Sequence, residues 1–261
     1  MPELTIPTTS LADGTPFPLL GLGTGSPKGP DGAEVVAAAL REGYRLVDTA
    51  AQYGNEAAVG EGIRRSGVDP AEVLVTTKIA GGDQGREAAR QGFAESLRRL
   101  GLPSAALLLI HWPNPSRGLA LDTWRTLIDL KEEGLAQHIG VSNFRPEQLQ
   151  ELFDATGVWP EVNQIQLSPA LPRPSALAFH REHGIVTEAE VDDSLRRLSA
   201  VVDEQNAGDP NYEALIGADG PGVAYRAARA LIVEGASQPN GYTEPILHRM
   251  RREKLGAPPQ V

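Results

Sequence analysis

The chain contains no cysteine, which removes disulfides, thiolate nucleophiles and cysteine-ligated metals and suits a reducing compartment such as the cytoplasm. It has no apolar run of 18 residues, and its opening stretch MPELTIPTTS is polar and proline-bearing. Neither a membrane span nor a secretory leader is expected. Positive charge is also scarce: 24 Lys and Arg stand against 34 Asp and Glu, a net charge of −10. That balance argues against a nucleic-acid partner, although a local cationic pocket for a phosphate-bearing ligand is compatible with an acidic exterior. A G-x-G-x-x-G turn is missing too, because the glycines of GLGTGS fall at 21, 23 and 25. A dinucleotide-binding turn of the Rossmann kind is therefore not expected.

What the chain does have is length and a period. At 261 residues it can form one large α/β domain that buries roughly 75% of its unfolded surface. The stretch LTIPTTSLADGTPFPLL alternates around Ala12-Asp13-Gly14 and reads as a hairpin capping the lower end of a barrel. Strand and helix patterns then alternate. They begin at LLGLGTG and the amphipathic stretch from Asp31 to Arg41, succeeded by strand 44–48 and helix 55–65. Strand 73–78 leads to helix 86–100, strand 105–110 to helix 119–133, strand 136–141 to helix 146–155, and strand 161–167 to helix 174–183. These are about six βα units of a parallel (β/α)8 barrel of the TIM type, in which all strand C-termini open on one face.

Three consecutive strand patterns end in polar residues. YRLVD ends at Asp48, VLVTTK at Lys78 and ALLLIH at His111, at intervals of 30 and 33 residues, and Tyr53 lies five residues past Asp48. Each has a bland reading when taken alone. An Asp at a strand end is usually a cap, a Lys is usually solvated, a Tyr buries its ring, and a His after an apolar strand can be a satisfied core residue. Together they suit protonation of a carbonyl oxygen. An ammonium near a phenol favours the phenolate and eases loss of the proton, so Lys78 would activate Tyr53. Asp48 would keep the lysine charged, and His111 would hydrogen-bond the substrate oxygen. A different reading makes Lys78 a Schiff-base lysine of an aldolase-like barrel. The nearby carboxylate of Asp48 argues against it, because such a lysine needs a depressed pKa.

Residues 1–189 resemble the aldo-keto reductases. The motifs LGLGTG, LVDTAAQYGNEAAVGEGIR, TTK, LLLIHWP, LKEEGLAQHIGVSNF and VNQIQLSP stand in that family's order and spacing. The resemblance implies a (β/α)8 barrel that reduces aldehydes or ketones with NADPH, or with NADH, taking hydride from the nicotinamide. It makes Tyr53 the general acid, with Asp48, Lys78 and His111 completing a tetrad. It assigns Ser142, Asn143 and Gln164 to the nicotinamide carboxamide, Thr24 to the vicinity of the cofactor ribose, and Trp112 to the substrate pocket. No metal is implied, and the partner is a small-molecule carbonyl substrate of a monomer, not a nucleic acid or a membrane. Hydroxyl and amide side chains suit a carboxamide, since they donate and accept at once. For Ser142 and Asn143 alone, a helix N-cap is the competing reading.

Departures from the pattern also carry expectations. Ala106 stands where many members carry an acid, and the small, Gly-rich loop IAGGDQGR lacks a large aromatic, which opens the substrate pocket. After Ala189 the family continues with an aromatic that stacks on the nicotinamide, then Ser-Pro-Leu, whereas this chain has Glu190. Thr187-x-x-Glu190 forms a capping box, and Val191, Leu195, Leu198 and Val202 come next at helical spacing. A helix is thus expected where strand seven should end, with further helices over 222–234 and 243–255 and no eighth strand. Residues 183–261 resemble the C-terminal tail of the bacterial malate synthase G family, through HGIVTEAEVDDSLRRL, VVDEQNAGDPNY and QPNGYTEPILHRMRRE. The expected organisation is a truncated barrel over 1–189 and a helical tail over 190–261, a fusion with reductase activity impaired or, alternatively, a product without activity.

Overall fold

The structure, a computed structural model, describes residues 6–25, 29–167 and 171–190. Two short antiparallel strands, β1 (Thr8–Ser10) and β2 (Pro16–Pro18), come first. Gly14 takes φ of +88° between them, and the Asp13 carboxylate accepts from the Thr15 amide at 2.9 Å. A left-handed turn and a local Asx bond close the hairpin as the Ala-Asp-Gly stretch requires. Its Leu11 and Phe17 are buried against Leu46, Leu107, Leu109 and Val162. The hairpin is a plug for the apolar end of the sheet interior, as expected.

The sheet runs in chain order. Strands β3 (Leu22–Gly23), β4 (Leu46–Asp48), β5 (Leu74–Ile79), β6 (Ala105–Ile110), β7 (Ala136–Ser142), β8 (Val162–Gln166) and β9 (Val186–Glu190) all pair in parallel, each with its sequence neighbour. Helices α1 (Gly29–Arg41), α2 (Glu56–Ser66), α3 (Arg86–Leu100), α4 (Ala120–Glu132), α5 (Pro146–Thr156) and α6 (Pro174–Glu182) fill the connections. Two apolar clusters lie between sheet and helices. One centres on Trp124, Leu127, Phe93, Leu108 and Ile139, the other on Val36, Leu40, Val47, Ile63 and Val75. Among the described residues no helix is long and apolar enough to cross a membrane.

Side chains alternate across each strand, so the interior rows are fixed by the register. Asp48 pairs with Thr76, Lys78 with Leu109, Ser142 with Gln164, and Gln164 with Glu188. Gly140 sets the closeness of β7 and β8. A Cβ there would collide with the Val162 carbonyl oxygen and lie 2.8 Å from Leu109 Cδ2.

One expectation is overturned. Six βα units are present, but Thr187 to Glu190 do not begin a helix: they belong to β9, the seventh parallel strand, paired along its length with β8. Among the described residues the ladder therefore runs on to this strand and does not stop at the sixth. Tertiary pairing overrides the local capping pattern, because Ile185 packs into the outer core and Val186 against the interior cluster. Thr187 is used on the outer side. Its hydroxyl lies 2.8 Å from Nδ1 of the buried His180, whose Nε2 lies 2.9 Å from Asn163 Nδ2, and this chain of polar contacts ties β8, β9 and α6 together. The expected helices beyond 190, the absence of strand eight and most of the tail likeness to malate synthase G lie outside the described residues.

Candidate active site

The three strand ends converge. Lys78 Nζ lies 2.7 and 2.6 Å from the two Asp48 carboxylate oxygens, 3.2 Å from the Thr49 carbonyl oxygen and 3.3 Å from the Tyr53 hydroxyl. The lysine side chain is fully buried and the Asp48 side chain 12% exposed. Burial alone would push the Lys78 pKa down, but the Asp48 carboxylate, with help from Tyr53 and Glu188, outweighs it and the pKa is raised. The lysine is held as an ammonium beside a phenol. A lysine paired in this way lacks the depressed pKa that a Schiff-base amine needs, which argues against the aldolase-like reading.

Tyr53 ends a short 3-10 turn, Ala51–Tyr53, and Gly54 comes next with φ of +69°. The Tyr53 ring meets the His111 ring edge-on, with centroids 5.7 Å apart. His111, the first residue past β6, is buried, and burial together with the Lys78 charge pushes its pKa down to about 4, against a smaller opposing effect of Asp48. It is a neutral imidazole at physiological pH and still carries one N–H. Trp112 stacks beside it at 6.4 Å and is 48% exposed, so a large apolar surface stands at the mouth. Its carbonyl oxygen accepts from Gln84 Nε2 at 2.6 Å, which draws the Gly-rich loop after β5 against the β6 end.

The remaining candidates lie on the same face. Ser142 closes β7 and is fully buried. Asn143 comes next with φ of +64°, a conformation Asn tolerates better than most residues, and its Nδ2 donates to Ser142 Oγ at 3.0 Å and to the His111 carbonyl oxygen at 3.3 Å. The N-cap reading of this pair does not hold, since helix α5 is capped at Arg145. Thr24 lies just past β3, with its amide donating to the Asp48 carbonyl oxygen at 2.9 Å. Both Thr24 Oγ1 and Gln164 Oε1 are buried without a hydrogen-bond partner among the described residues. Orphaned polar atoms of this kind fit a ligand that brings its own donors and acceptors, such as a carboxamide.

Two carboxylates are not singled out by the sequence. Glu188 shares an interior row with Ser142 and Gln164 and acts electrostatically on Lys78. Glu56 is buried three residues past Tyr53 and bonds to β5 and α3. Strand alternation through Val186 would reveal the first, and nothing local the second.

A parallel barrel-type sheet with a Tyr–Lys–Asp–His cluster at its C-terminal mouth defines a carbonyl oxidoreductase scaffold. Residues 19–189 match the model of the Aldo/keto reductase family, and the chain belongs to that family of oxidoreductases. It is 50% identical over 200 residues to the 2,5-diketo-D-gluconic acid reductase B of a Corynebacterium species, a match that covers 77% of this chain and 72% of the relative. The crystal structure of an aldo/keto reductase from Brucella melitensis superposes with a TM-score of 0.70 at 37% identity, over 91% of this chain and 87% of that one. A Bombyx mori aldo-keto reductase in complex with NADP gives 0.68 at 30% identity, over 78% and 77%.

Proposed function

We propose that the chain reduces aldehydes or ketones to alcohols with NADPH, Tyr53 being the proton donor. The observation that carries this reading is the 3.3 Å approach of the Tyr53 hydroxyl to a lysine locked by Asp48 at 2.6 and 2.7 Å. When bound, NADPH supplies the hydride that adds to the carbonyl carbon. Tyr53 Oη gives its proton to the carbonyl oxygen, and the Lys78 ammonium stabilises the phenolate that remains. Asp48 keeps Lys78 charged and in place. Neutral His111 donates a hydrogen bond to the same oxygen without competing for its proton. Ser142, Asn143 and Gln164 would hold the carboxamide, Thr24 the ribose side, and Trp112 would line the substrate pocket.

The Corynebacterium relative, by its name, reduces a keto sugar acid, which supports a small polar carbonyl compound as the substrate class. We take the working unit to be a monomer in the cytoplasm, with a barrel over 1–189 joined to a helical tail of malate-synthase-like ancestry over 190–261. Glu190 stands where the resemblance puts a ring that stacks on the nicotinamide, which favours reduced turnover and keeps a non-catalytic fusion product as the second reading.

NADPH titration of the full chain, monitored by quenching of tryptophan emission, tests both. Micromolar binding, with carbonyl reduction lowered about 10²- to 10⁴-fold by Tyr53→Phe while binding persists, is the expected result. Turnover unaffected by Tyr53→Phe would overturn the proton-donor role, and a folded chain that binds no NADPH would leave the second reading.

A further inference from the structure

Glu56 takes no part in the proton transfer or in holding the cofactor, yet its side chain is fully buried. A buried carboxylate is costly unless it is paired and hydrogen-bonded, and this one is both. Thr77 Oγ1 donates to its Oε1 at 2.7 Å, and Arg99 Nε donates to its Oε2 at 2.7 Å. These partners lie 21 and 43 residues away, on β5 and α3.

Two of the elements so joined, the start of α2 and β5, adjoin Tyr53 and carry Lys78. Glu56 stands in the first turn of α2, three residues after Tyr53, and Thr77 immediately precedes Lys78 on β5. Lys78 faces the interior while Thr77, its strand neighbour, faces the helices. On the opposite side of the same short segment, Asn55 Nδ2 donates to the Thr24 carbonyl oxygen at 2.5 Å and Asn55 Oδ1 accepts from Thr49 Oγ1 at 3.2 Å. The segment bearing Tyr53 is thus fixed through Asn55 to the residues that follow β3 and β4, and to β5 through Glu56. The ion pair with Arg99 engages the other carboxylate oxygen. The bond to Thr77 is a separate constraint, applied one residue from the lysine.

We propose that Glu56 is a positioning residue for the proton-donating pair: through Thr77 it sets the separation of Tyr53 from Lys78, and with it the ease of proton loss from the phenol. This rests on Tyr53 being the proton donor. Removing the bond at Thr77 leaves the Glu56–Arg99 ion pair in place and touches no residue at the mouth.

The test is a phenolate absorbance titration of the full chain, with the Tyr53 signal isolated as the difference between each protein and its Tyr53→Phe counterpart. Thr77→Val is expected to raise the Tyr53 midpoint by about one pH unit, and Thr77→Ser, which restores the hydroxyl, to return it to the parent value. Should Thr77→Val not fold, Thr77→Ala removes the same hydroxyl without a branched side chain and carries the same expectation. A Tyr53 midpoint that is low in the parent and unchanged without the Thr77 hydroxyl would overturn the positioning role alone. A parent midpoint in the ordinary phenol range would overturn Lys78 activation of Tyr53 and this inference together.

Discussion

Lys78 and Asp48 form a two-pronged contact, Nζ lying 2.7 and 2.6 Å from the two carboxylate oxygens, inside a sheet interior where the lysine has no exposed side-chain surface. Each charge is tolerated only because of the other. Lys78→Met strands a buried carboxylate and Asp48→Asn a buried ammonium, so each should cost about 3–5 kcal/mol of unfolding free energy. The double variant removes both charges and should recover most of that loss. Urea denaturation of the four proteins measures it, and additive losses would mean that the two residues are not coupled as described. Carbonyl reduction should be absent from all three variants.

His111 makes the fold sensitive to acid. Its pKa is held at about 4 against an ordinary 6.5, first by burial and then by the Lys78 charge. An unfolded chain therefore takes up a proton that the folded one refuses. The stabilisation is complete above pH 6.5 and is lost as pH falls from there to about 4, below which the penalty is constant. Allowing for screening at the mouth, the loss is on the order of 2 kcal/mol. His111→Gln should flatten this part of the stability-against-pH curve; a curve of unchanged slope would place the titrating group elsewhere.

The packing of β7 on β8 offers a separate check. Gly140→Ala sets a Cβ against the Val162 carbonyl oxygen, a backbone atom that cannot rotate away. Overpacking of this kind costs about 1–3 kcal/mol, or roughly 3–10 °C in melting temperature for a chain of this size. Because Ser142 and Gln164 are register partners across the same two strands, NADPH affinity should fall along with stability. A variant with parent melting temperature would show that the strands can separate freely.

The polar ends of β4, β5 and β6 are legible in the sequence because parallel strands present one side chain per two residues to a common face. A charge at the close of an apolar run is conspicuous there. The place of Asn143 at the mouth is legible as well, but its left-handed backbone is not, since the N-cap pattern and the strand-end pattern use the same residue types. Strand β9 is hidden for a related reason. Thr187 and Glu190 spell a capping box, and only pairing with β8, which lies some twenty residues earlier in the chain, decides between helix and strand. The same holds for Glu56, which in isolation is an ordinary first-turn acid of a helix. Its burial depends on Arg99, a partner 43 residues away.

Gln164 separates a binding role from a structural one. Its Oε1 is buried and lacks a hydrogen-bond partner among the described residues, an arrangement that weakens the fold unless a ligand supplies the missing donor. Gln164→Met keeps the length of the side chain and removes the orphaned oxygen. Stability should therefore hold or rise slightly, since an apolar group of similar shape leaves nothing unsatisfied. NADPH affinity should fall about 10- to 100-fold, the range expected for losing one or two hydrogen bonds to a buried carboxamide. Melting temperature and NADPH titration on the same preparation read the two effects independently. A fall in stability with affinity unchanged would assign Gln164 to the core of the sheet and remove it from the cofactor site.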